Sequence, residues 1–221
     1  MTAVALETSS RTPSIAVSAG ESLRERALSA QRAHASDLLP ALDALLGELG
    51  VRPSSIEQVV VGTGPGSYTG LRAGIATALG LARASGAALR GVPSLEALAW
   101  GELAPGEACS VVLDARAGEL YFASYRREAG EVTALQAPRV VAASEIESLF
   151  EAGIPLFADE GAAALVRAAG RDDVRLVEGI VPRAQALLEL GRLQLARHGP
   201  QEPREIEPLY LRAFAARQRR R

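Results

Sequence analysis

The sequence predicts an α/β fold of two similar lobes, each a mixed sheet with helices on its faces. Two observations carry this. Runs with a two-residue apolar period and runs with a helical period follow one another as three strands, helix, strand, helix, strand, and the order begins again after Pro105 and Gly106. The chain is also long enough, at 221 residues with 48% hydrophobic content, to bury a full core. The lobes are expected at 1–103 and 104–204, with residues 205–215 free to return to the first.

The elements follow in order. AVALE (3–7) and SIAVSA (14–19) read as strands separated by the turn-rich TSSRTP, and SLRERALS (22–29) completes a meander. Leu38, Leu39, Leu42, Leu45, Leu46 and Leu49 recur at helical spacing, with Ser36 or Asp37 as N-cap and Gly50 beyond the end. A strand at 57–62 enters the glycine-rich GTGPGSYTGLRAG (62–74), and a helix runs on to Ser85. A strand at 88–92 and a helix from Ser94 close the first half. In the second, CSVVLDA (109–115), ELYFASYR (119–126) and VTALQ with Val140 and Val141 form the meander. A helix capped by Ser144, strand PLFA (155–158), helix 161–169, strand VRLVE (174–178) and helix 182–198 complete it.

Composition excludes several classes. All 24 basic residues are Arg, so Schiff-base chemistry and a P-loop lysine are ruled out. A formal net charge of −2 and 4% aromatic content argue against an independent RNA-binding module. One cysteine, Cys109, cannot form an intrachain disulfide, and the start MTAVALETSS lacks the pattern of a leader. Every apolar run is broken before the roughly 20 residues that cross a bilayer. A cytoplasmic protein is expected. His34 and His198 are the only histidines, too few and too far apart for a zinc-type site, and no GxSxG elbow is present. Neither a metal site nor a catalytic set is expected.

Three features invite functional readings. Glu7, Thr8 and Ser9 in the first hairpin and Asp114 in the second occupy matching positions, where turn N–H groups could hold phosphate and the acid orient Mg²⁺ or water. Alternatively each acid merely caps its own turn. The stretch 62–74 departs from both phosphate-loop patterns, with no lysine and with Ser67 where a third glycine would fall. Beyond it Gly70, Gly74, Ala78 and Ala82 recur every four residues, a smooth ridge that would let another helix come close. That helix could belong to this chain or to a partner. With more apolar or small surface on two helices than one sheet needs, Leu38, Leu42, Leu45 and Leu49 together with Gly70, Leu71, Gly74, Ile75 and Ala78 are expected to form or support an interface. Tyr68 would anchor the partner or cover the underside of its own loop. Arg212, Arg217, Arg219, Arg220 and Arg221 would be solvated or touch nucleic-acid phosphates.

GTGPGSYTGLRAG, GVPSLEALA (91–99), LDARAGELYFASY (113–125) and IEPLYLR (206–212) together resemble the TsaB (YeaZ-like) family, in order and over nearly the whole chain. The resemblance implies an actin-like ASKHA fold of the Hsp70 and sugar-kinase type. It implies a subunit without catalysis of its own in the machinery that makes N6-threonylcarbamoyladenosine at position 37 of tRNAs reading codons that start with A. Its implied partners are a TsaD-like transferase, a TsaE-like ATPase, a second copy when alone, and tRNA through the complex. No cofactor is required, and ATP or ADP with Mg²⁺ would bind weakly or at the partner boundary. Glu7 stands where the family is expected to carry Asp. The rivals are an ATP hydrolase or kinase acting in its own cleft, and a chelator-sensitive peptidase that two histidines do not support.

Overall fold

The computed structural model describes residues 1–28, 35–149, 153–170 and 174–212. Its two five-stranded sheets share one topology. In the first, β1 (Thr2–Glu7), β2 (Ser14–Ala19), β3 (Ser22–Ala27), β4 (Gln58–Gly62) and β5 (Ala88–Val92) run in the order β3-β2-β1-β4-β5. In the second, β6 (Ala108–Arg116), β7 (Glu119–Glu128), β8 (Glu131–Ala142), β9 (Leu156–Ala158) and β10 (Leu176–Glu178) run β10-β9-β6-β7-β8, the same order read from the other edge. Each sheet is antiparallel within its meander and parallel where β4 joins β1 and β9 joins β6. This is the doubled actin-like arrangement.

The side-chain alternation of strands assigns each face. Val4, Leu6, Ile15, Val17, Val59 and Val61 point to one side of the first sheet, where α1 (Ala35–Glu48) and α2 (Tyr68–Ser85) cover them with Leu38, Leu42, Leu45, Leu46, Ile75 and Ala78. Ala3, Ala5, Ala16 and Val60 point to the other, against Leu187, Leu188 and Leu190 of α5 (Ala184–His198). Those small strand residues and Gly191, where a Cβ would strike Val60, let α5 lie close to the sheet. In the second sheet, Val112, Leu120 and Phe122 meet α4 (Glu160–Ala168), while Val111, Leu113, Ala123 and Tyr125 meet Leu95, Leu98 and Ala99 of α3 (Ser94–Glu102).

The chain-order division at 103/104 and the packing therefore differ. Helix α3, from the first half, roofs the second sheet, and α5, from the second half, roofs the first. The two meet along a seam where a Cβ on Gly101 would lie 2.8 Å from that of Ala186. Gln194 of α5 joins the seam by donating to Glu96 at 2.9 Å and accepting from Arg90 Nε at 3.1 Å. Burial pushes the Glu96 carboxyl up to about 7. The segment after α5 runs back along the first sheet: Gln201 N–H donates to Leu89 O and Leu209 N–H to Thr63 O.

Local differences have local causes. Residues 143–148 form a 3-10 turn rather than a helix capped by Ser144. VTALQ and the Val140–Val141 pair belong to one twelve-residue strand, because β8 is an edge where Pro138 forfeits no ladder bond on its free side. His34 and Arg217, Arg219, Arg220 and Arg221 lie outside the described residues. Among those described, no helix is long and apolar enough to cross a membrane.

Candidate functional site

The glycine-rich stretch is clamped from three sides by the chain itself. Ser67 N–H donates to Ser9 O at 2.7 Å, Ser94 N–H to Gly64 O at 2.7 Å, and Gly64 N–H to Ser94 Oγ at 3.1 Å. A Cβ on Gly66 would collide with Ser9 O, one on Gly70 with Thr8 O, and one on Gly74 with Thr8 Oγ1. Missing side chains thus admit the first hairpin turn of this same chain. Ser67 then caps α2 by accepting from Gly70 N–H at 3.2 Å, and Gly86, left-handed at φ 72°, ends it.

Gly74, Ala78, Leu71 and Ile75 are buried under their own lobe, as are Leu38, Leu42 and Leu45, while Leu49 and Gly70 are half-buried. Helical periodicity shows that a small-residue face exists but not which neighbour fills it; here the sheet and Thr8 do. The outward face of α2 carries a different set, Thr69, Ala73, Ala76, Gly80 and Ala84, and adjoining α1 shows Leu39, Ala44 and Gly47. Among the described residues, nothing lies within 4 Å of a Cβ built on Gly47 or Gly80.

The two hairpin acids part company. Glu7 is fully buried, folded under Gly62, with Oε1 accepting Ser9 N–H at 2.7 Å and Oε2 lacking a hydrogen-bond partner among the described residues. Burial pushes its carboxyl up from the ordinary value, and neighbouring Ser9, Ser94 and Thr8 offset only part of this. Within this lobe the Glu7 carboxyl is folded against Gly62, and the Ser9 N–H of the turn donates to it. Thr8 and Ser9 are buried too, and among the described residues Thr8 Oγ1 and Ser9 Oγ show no hydrogen-bond partner.

Asp114 instead faces a cleft of about 1010 Å³ between the lobes. Its Oδ1 accepts Arg116 N–H at 2.7 Å, and its Oδ2 meets Arg11 Nη2 from the first lobe at 3.3 Å. Asp159 stands beside it, accepting from Asp114 N–H at 3.1 Å and, as N-cap of α4, from Ala162 N–H at 2.8 Å. Burial pushes the Asp159 carboxyl up, the two backbone donors pull it down, and nearby Asp114 adds a rise. Gly161 gives the helix start room, since a Cβ there would sit 2.9 Å from Asp114 Cβ.

Residues that sequence reasoning did not single out complete the cleft: Arg11, Arg116, Tyr121 and Tyr210. Arg116 and Ala117 are both left-handed, φ 68° and 56°, each at a cost of roughly 1–2 kcal/mol. Nothing in DARAG signals that. Tyr68, half of the expected anchor question, stacks on Tyr210 with centroids 5.1 Å apart. Arg212 bridges to the second lobe, pairing with Glu119 at 2.7 Å and donating to Ala115 O.

Other candidate chemistry is absent among the described residues. No group of three His, Cys, Asp or Glu side chains is placed to hold a metal, and Cys109 is buried with its thiol pushed up to about 12. The TsaD family, described as tRNA N6-adenosine threonylcarbamoyltransferase, matches residues 28–177. The chain belongs to this family, as a TsaB/YeaZ-type member. It is 35% identical to the tRNA threonylcarbamoyladenosine biosynthesis protein TsaB of Haemophilus influenzae over 58% of this chain and 55% of that one. The Bacillus subtilis protein of that name is 34% identical over 59% and 57%. The chain spans about half the length of the curated relatives it matches. In structure it is similar to YeaZ from Pseudomonas aeruginosa, TM-score 0.79 at 29% identity over 95% of this chain and 99% of that one.

Proposed function

We propose that this chain is an accessory subunit, without catalysis of its own, of the cytoplasmic machinery that forms N6-threonylcarbamoyladenosine at position 37 of tRNAs reading codons that start with A. In this reading it binds and activates a TsaD-like transferase. The observation that carries it is the unpartnered outer surface of α1 and α2. There Leu39, 52% exposed, and the open backbones at Gly47 and Gly80 lie on adjoining helices, and among the described residues no atom lies within 4 Å of a Cβ built on either glycine. Small residues on a helix face allow close crossing and dense dispersion contacts with another helix. The curated relatives named for threonylcarbamoyladenosine biosynthesis support the pathway, and the transferase family match is consistent with a TsaD-like partner.

A second copy of the chain would occupy the same face when the transferase is missing, and a TsaE-like ATPase and tRNA would join the assembly. No cofactor is required by this chain alone. Mg-ATP or Mg-ADP would bind weakly, or at the boundary with the partner, because the first hairpin spends its N–H on Glu7.

Gly80→Leu tests the docking face. The variant should keep its circular dichroism spectrum and melting temperature, since nothing surrounds the site, while co-elution with a TsaD-like protein weakens by about 1 kcal/mol or more. Unchanged co-elution would move the contact elsewhere. Gly74→Leu is not a usable probe, because its side chain would strike Thr8 inside the lobe.

A further inference from the structure

The cleft holds a set of groups that docking through α1 and α2 leaves unused. At its mouth the Tyr68 and Tyr210 rings stack with 29° between their planes, and they remain 37% and 45% exposed. The Arg72 guanidinium lies 4.9 Å from the Tyr68 centroid and donates to its hydroxyl at 2.6 Å. Across the cleft, Arg116 is exposed, and among the described residues its side chain has no ion pair or hydrogen bond. A strained left-handed pair at 116 and 117 holds it there. The Arg11 side chain, on the other lobe, is 72% exposed.

The charge balance of this surface differs from that of the molecule. The cleft is lined by Arg11, Arg116 and Arg212 against Asp114 and Asp159, in a chain whose net charge is −2. Exposed aromatic rings beside the unpaired Arg116 guanidinium, and beside Arg11, which is mostly exposed and meets only Asp114 at 3.3 Å, suit a planar base joined to a phosphate. An enclosed triphosphate cradle is not formed, since Ser9 N–H is spent on Glu7 and Arg116 N–H on Asp114.

We propose that the mouth of the cleft takes an unpaired nucleotide of a single-stranded RNA segment, its base on the Tyr68–Tyr210 pair and its phosphate against Arg116 and Arg11. The site is argued from its own groups; only the identification of the natural RNA as a tRNA loop rests on the proposed function. Stacking on tyrosine tolerates any base, so the platform supplies hold rather than sequence choice. The arginines make the hold dependent on salt.

The test is fluorescence anisotropy of a labelled, unstructured seven-nucleotide RNA titrated with the full chain at low and moderate salt. Saturable binding is expected. Tyr210→Ala should weaken it by about tenfold, and Tyr210→Phe, which keeps the ring, should leave it unchanged. Arg116→Gly, which relieves the left-handed backbone and so keeps the fold, should weaken it several-fold and lower the slope of log affinity against log salt by about one. Absent binding by the wild-type chain, or equal binding by Tyr210→Ala and Arg116→Gly, overturns the proposal. So does saturable binding of AMP with none of RNA, which would assign the cleft to a free nucleotide. If Tyr210→Ala loses only the TsaD-like partner in gel filtration, the tyrosine pair is a protein contact instead. Because the RNA titration uses the chain alone, it stands whether or not the transferase docks.

Discussion

Glu7 and Asp114 close the same turn in two copies of one topology, and each accepts the backbone N–H two residues onward, yet one side chain is sealed and the other meets the cleft. The extra methylene of Glu7 lets its carboxylate reach back under Gly62 towards Ser94, where it joins the first hairpin to the glycine-rich loop. Asp114 is shorter, stays at the turn, and pairs across the cleft with Arg11. Topological equivalence thus says where a carboxylate starts, whereas side-chain length and the glycines around it decide what it does. The acid of the first hairpin is enclosed, although Arg11 of the same hairpin reaches the cleft, and the acid of the second keeps a face to it.

The sharpest way to break the contrast is to refill the space that Glu7 uses. Gly62→Ala places a methyl against Glu7 Oε2 and Ser94 Oγ and should cost about 1–3 kcal/mol in urea unfolding, because the fully buried Glu7 must shift to admit it. The double variant Gly62→Ala, Glu7→Ala should cost less than the sum of its parts by about 1 kcal/mol or more, as expected for groups in contact. Strict additivity would mean that the two do not share that space.

A smaller and pH-dependent effect separates the acids next. Burial raises the Glu7 carboxyl above its ordinary 4.5, so the native state holds that proton more tightly than the unfolded chain. Its stabilising contribution is complete below pH 4.5 and is lost as pH rises through the native value. Glu7→Gln should therefore flatten the fall in stability that the wild type shows above pH 4.5. Glu96, pushed up to about 7, produces a fall of the same sign between 4.5 and 7, and Glu96→Gln isolates it. The least effect is expected at the second hairpin. Asp114→Asn gives up an exposed ion pair and should change stability by about 1 kcal/mol or less.

The sequence makes the strand order, the repeated topology and the turn positions of both hairpins legible, because two-residue and helical periods are local properties. It could not show which way Gly70 and Gly74 face: the deciding atoms, Thr8 O and Thr8 Oγ1, belong to a residue more than sixty positions away in the chain. The cleft is less legible still. Tyr210 meets Tyr68, and Arg11 meets Asp114, through tertiary closure alone, and the left-handed backbone at Arg116 follows from a tight turn that no residue type there demands.

The crossing of α3 and α5 has a consequence for how the molecule can come apart. Since each half of the polypeptide supplies a roof to the other half's sheet, a break between residues 103 and 108 would yield two fragments that both lack cover. Domain-by-domain melting is therefore closed to this architecture, and both halves should denature together as a single cooperative body.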